Sequence, residues 1–89
     1  ILQFNYDTNI FSIAAFFLNT FTPEEQQELL RERLTVLQKY REGIKKQVNP
    51  LWENEVSATH SANVKRMIDL VDAEITGTSR LLESCNKNA

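Results

Sequence analysis

This chain of 89 residues contains only one cysteine, one histidine, one tryptophan, two glycines and two prolines. Each scarcity excludes something. A lone cysteine, Cys85, cannot close an intramolecular disulfide, so the chain is not a stapled, secreted scaffold. A lone histidine, His60, rules out any metal site built on two imidazoles, and no Glu-x-x-His spacing leads to it. Few glycines and prolines argue against a β protein, whose sheets need frequent turn residues. The longest apolar run, Ile10 to Leu18, is broken only by Ser12 and has about half the length of a membrane span, which takes roughly 20 residues. No basic residue precedes that run, as a secretory signal would require. Ten Lys and Arg against twelve Asp and Glu give a net charge of −2, without the basic excess that marks a nucleic-acid surface. The length allows one domain with one shared core.

What is present is helical punctuation and helical periodicity. Ile1 to Tyr6 read as an extended, apolar lead-in. Asp7 or Thr8 can cap a short helix over Asn9 to Leu18. That helix carries Ile10, Phe11, Ile13, Phe16, Phe17 and Leu18 on nearly every side. A helix of this kind has to be enclosed or face a second chain. Thr22-Pro23-Glu24-Glu25 then spells a capping box, with Thr22 as the cap, Pro23 in the first turn and Glu25 reaching back. Glu24, Glu25 and Glu28 lie at the positive end of the helix dipole, and Lys45 and Lys46 at the negative end. The spacing predicts a helix from Pro23 to about Gln47.

Leu30, Leu34, Leu37, Ile44 and Val48 form a seam at alternating steps of four and three, with Arg41 filling the remaining step. Gly43 costs about 1 kcal/mol against alanine inside such a helix, so either the helix is loose there or another backbone approaches closely. Asn49-Pro50 ends the pattern and can start a new helix. That last helix, whose start is placed only to within several residues, has a polar N-terminal part from Glu53 to Asn63 and continues through Val64, Met67, Val71, Ile75, Thr78, Leu81 and Leu82. Thr76 to Ser79, around Gly77, is a weak helical patch, and Asn86 to Ala89 read as a frayed tail. The fold expected is all-α: a short apolar helix and a long antiparallel helical hairpin, too thin to bury its seams alone and therefore paired as a dimeric bundle. The expected interface is Ile10, Ile13, Phe16, Phe17, Leu30, Leu34, Leu37, Ile44, Val64, Met67, Val71 and Ile75.

No nucleophile-and-base set and no glycine-rich phosphate loop is evident, so no catalytic, cofactor-binding or metal-binding residue is assigned. His60 is expected at the surface. The acidic run Glu24, Glu25, Glu28, Glu32 is a solvated face favoured by the dipole. The basic set Lys39, Arg41, Lys45, Lys46 is read as solvated too. Trp52 could stack on a flat ligand, although a tryptophan more often packs on its own hairpin.

The order of these features resembles the C-terminal domain of PadR-like transcriptional regulators, also called the virulence activator alpha C-terminal type. Ala14-Ala15-Phe16-Phe17-Leu18, Phe21-Thr22-Pro23-Glu24-Glu25 and Leu29-Leu30-Arg31-Glu32-Arg33-Leu34 leading to Leu37 carry the likeness, with Val64 to Leu82 fitting less tightly. It implies a cytoplasmic homodimerisation arm, without a cofactor, from a longer protein. The start at Ile1 rather than Met fits such an excised piece. DNA would then be read only by an N-terminal winged helix-turn-helix outside this sequence. Gly77-Thr78 is less bulky than that family's last helix leads one to expect. Two alternatives stand beside it: an effector-binding helical domain like the sensing half of a TetR-type regulator, with a small molecule as partner, and a helical adaptor.

Overall fold

In a computed structural model, residues 2–46 and 58–88 are described. Among them the only regular structure is helical: α1 Leu2–Ala15, a 3-10 turn Leu18–Thr20, α2 Pro23–Lys46 and α3 Ala58–Asn88. Asn49-Pro50 and Trp52 lie outside the described residues, as does the junction between the two long helices.

The start of α2 follows from the sequence alone. The Thr22 N–H donates to Glu25 Oε1 at 3.0 Å, and the Glu25 N–H donates to Thr22 Oγ1 at 3.2 Å, which satisfies two donors that the first turn would otherwise leave open. These two bonds hold the Glu25 carboxyl below its ordinary range, the backbone bond to Thr22 contributing most.

α2 and α3 pack side by side along their length. Their register is antiparallel, because Arg41 Nε meets Asp72 Oδ1 at 2.6 Å while Cys85 Sγ meets Gln26 Oε1 at 3.1 Å at the other end. Leu37, Ile44, Val64 and Val71 are buried between the helices, joined by Phe4 of α1 and flanked by Tyr40, Met67, Ile68 and Ile75. Leu30 is fully buried further along α2. α3 is 31 residues long. At 1.5 Å per residue that is roughly 46 Å, which sets the longest dimension of the 51 × 19 × 14 Å molecule. The radius of gyration is 15.8 Å. A compact domain of this length would have about 12 Å. The fold is a rod, and a rod leaves much of its apolar surface uncovered.

Several local expectations are corrected. The lead-in is helix from Leu2, because Phe4 gains burial against the edge of Tyr40, with ring centroids 5.4 Å apart. Asp7 and Thr8 therefore sit inside α1 rather than capping it. α1 ends at Ala15, and Leu18 lies in the 3-10 turn that follows. Gly43 lies within an unbroken α2, yet a Cβ there would meet nothing within 4 Å, so no backbone approaches it. Gly77 is equally open, and α3 passes through residues 76–79 without interruption. Thr78 of that patch is buried, level in the register with residues 33–35 of α2. The tail is helical to Asn88, with Cys85 buried and its thiol donating to Gln26.

Candidate functional site

The residues expected at an interface separate into two groups. Leu30, Leu37, Ile44, Val64 and Val71 are buried within one chain, and Leu34, Met67 and Ile75 are half-buried. The hairpin thus accounts for them without a second copy. The four from α1 and its end remain in solvent: Ile10 is 50% exposed, Ile13 59%, Phe17 58% and Phe16 84%. Phe21 and Leu29 are exposed beside them.

Why α1 presents this surface follows from how it is held. Its inner face is fixed to α2 by long side chains. The Tyr40 hydroxyl donates to Asp7 Oδ2. Arg33 Nη2 donates to Thr8 Oγ1 at 3.1 Å, and the guanidinium lies 4.9 Å from the centre of the Phe11 ring. With Phe4 already inside, positions 4, 7, 8 and 11 face the hairpin. One helical face inward obliges the opposite face, at 10 and 13, to point away, and Phe17 follows in the turn after the helix.

Arg33 is a residue that periodicity did not single out. It is only 8% exposed, and its Nε has no hydrogen-bond partner. Among the described residues no carboxylate lies within ion-pair distance of it. A weakly hydrated, planar guanidinium tolerates such a place better than an ammonium, since an aromatic face and a hydroxyl replace part of its water. Its position on α2, at a step between Leu30 and Leu37, was a sequence signal only in hindsight of where α1 lies. Tyr40 carries the electrostatic imprint of the same cluster. Its hydroxyl is pushed up by the hydrogen bond to Asp7, then by burial and the Asp7 charge, while Arg33 acts in the opposite direction.

Between α1 and α2 runs a groove of about 350 Å³ lined by Phe11, Ala14, Ala15, Leu18, Phe21, Leu29, Glu32, Arg33 and Val36. Its walls are mainly apolar, and the Ile10, Ile13, Phe17 ridge stands along its α1 side. The acidic residues Glu24, Glu25, Glu28 and Glu32 are exposed, as are Lys39, Lys45 and Lys46, whereas Arg41 is half-buried through its bond to Asp72. His60 is exposed in the first turn of α3. Among the described residues no group of three or more His, Cys, Asp or Glu is placed to hold a metal, and no helix is long and apolar enough to cross a membrane. No protein-family model, no curated protein and no solved structure matches the chain.

Proposed function

We propose that this chain is a homodimerisation module whose contact surface is the outer face of α1 with the adjoining turn. One observation carries the reading. The hairpin core closes within a single chain, while Ile10, Ile13, Phe16 and Phe17 are left half or more exposed next to one another. At about 200 Å² for a fully exposed large side chain, these four with Phe21 and Leu29 present roughly 600 Å². That is the upper end of what a monomer leaves bare. It is also about three quarters of one side of a standard interface, ~800 Å².

The resemblance of residues 14–18, 21–25 and 29–37 to PadR-like regulators extends the proposal. In that setting the dimer would hold two winged helix-turn-helix readers at the spacing of two DNA half-sites, in the cytoplasm. DNA contact belongs to those readers, since this helical surface has no basic excess. The alternative, an effector-binding domain, would use the α1–α2 groove, and a ligand that raises the melting temperature would support it.

Sedimentation of the chain decides the main reading. Dimers are expected at micromolar concentration, and Phe17→Asp is expected to give monomers with unchanged helical circular dichroism. A native chain that sediments as a monomer would overturn the proposal.

A further inference from the structure

Building on that dimerisation reading, we infer that the α1 ridge of each copy seats in the α1–α2 groove of the other, about a two-fold axis beside Ala14. The ridge and the groove adjoin on one molecule, which is the arrangement an isologous contact needs. Their lengths match. The ridge runs from Ile10 to Phe17 and the α2 wall of the groove from Leu29 to Val36. Each stretch is eight residues long, about 10.5 Å along α2 for its seven helical steps, with the ridge continuing past the end of α1 at Ala15 into the turn.

Ala14 lies where the two meet. On the helical surface its neighbours three and four positions back are Phe11 and Ile10, and Leu18 lines the same groove from the 3-10 turn beyond the helix end, so a small side chain lies among large apolar ones. Ala14 is itself exposed, and it lines the groove together with Ala15. Nothing there keeps a second helix at a distance. Two helices crossing at alanines can approach to an interaxial separation of about 8 Å. With a Cα radius of about 2.3 Å for each, and over the usual range of separations of about 8–10 Å, the facing Cα atoms would come within roughly 3.4–5.4 Å. Seating the ridge would cover Ile10, Ile13 and Phe17 of both copies. It would also cover Leu29, and the half-buried Phe11, Leu18 and Val36 would supply the area missing from the exposed patch.

A second copy is favoured because ridge and groove adjoin on one molecule, and the exposed patch with the half-buried groove lining approaches the ~800 Å² that each partner of a standard interface buries. The exposed side chains of the ridge, Ile10, Ile13 and Phe17, are uncharged, and the charged side chains of the groove are Glu32 and the buried Arg33. The centre of a specific interface is typically depleted in charge in the same way.

Oxidative cross-linking tests the seating. In the full chain with Cys85→Ser, Ala14→Cys is expected to form a disulfide-linked dimer at least ten-fold faster than Ser12→Cys, an exposed position on the other side of α1. The expected Cα separation overlaps disulfide reach, about 4.4–6.8 Å. A chain that sediments as a dimer but cross-links no better at 14 than at 12 would overturn the seating and leave dimerisation standing. A monomeric chain would overturn both. A second arm uses Ala14→Trp with Cys85 retained. It should weaken dimerisation at least ten-fold with helicity unchanged, and an unchanged dimer affinity would count against the axis at Ala14.

Discussion

At the scale of single residues, the best-determined feature is the reciprocal pair at the start of α2. Both hydrogen bonds of the Thr22–Glu25 box are made, so Thr22→Ala should lower stability by about 1 kcal/mol in a denaturant titration. Glu25 adds a pH dependence with a definite sign. Its folded-state pKa lies below the unfolded value, about 4.3 for a glutamate. Its contribution is therefore complete above that unfolded value and is lost as pH falls through the lower, folded one. Glu25→Gln should remove this acid-side step from a plot of stability against pH.

The glycines invite the opposite kind of change. Gly43 and Gly77 lie in regular helix with open space where a Cβ would go. Gly43→Ala and Gly77→Ala should each stabilise by roughly 0.5–1 kcal/mol, because alanine loses less backbone freedom on folding. Sequence alone could name the cost of Gly43 but not its cause. Whether a neighbouring backbone needs the space depends on contacts made by distant residues, and here none does.

At the scale of elements, α1 is the part whose placement rests on few contacts. The long helices share an extended seam, whereas α1 is tied down through Phe4, Asp7, Thr8 and Phe11. Tyr40→Phe removes the donor to Asp7 and should cost about 1 kcal/mol. Hydrogen exchange should localise the effect, with faster exchange across Leu2–Ala15 and little change in α2 and α3. Unchanged exchange in α1 would contradict the latch. The same bond gives an alkaline limit. Tyr40 keeps its proton to higher pH when folded, so its contribution is present below the ordinary tyrosine value of about 10 and is lost as pH rises through the higher, folded value.

The boundaries of α1 were the least legible in the sequence for the same reason. Nothing local caps it at Leu2, and it extends that far because Phe4 finds Tyr40, a residue 36 positions away. Asp7 and Thr8 resemble caps by type, but both side chains are used on α2 instead. The α2 boundary needed no such partner, since its cap is formed by residues three apart.

At the scale of the whole molecule, burial and exposure assign different roles to residues that look alike in the sequence. Leu37 is fully buried, and Leu37→Ala should destabilise the chain by about 2–5 kcal/mol, measured by thermal or chemical unfolding. Phe17→Asp should leave that stability nearly intact and act on assembly. The proposed contact is apolar at its centre, so raising salt from 0.1 to 1 M should change the dimer affinity little, in contrast to an interface held by exposed charges.

The sequence by itself determined the helical class, the start of α2, the periodic apolar seam of α2 and the solvated glutamates and lysines at its two ends, because each depends on residues within a turn or two of one another. The tertiary structure decided the rest. It showed that Leu37, Ile44, Val64 and Val71 satisfy one another within a single chain, that Leu30 is buried there too, and that α1 turns the face at 4, 7, 8 and 11 inward. It also brought Arg33 into the interior beneath Phe11. A periodic pattern states that a face must be covered but not by what. The partner is fixed only when helices distant in sequence meet, and in this rod they meet so as to cover the middle of the long seams, leaving Leu81 of α3 exposed and Ile10, Ile13, Phe16 and Phe17 bare.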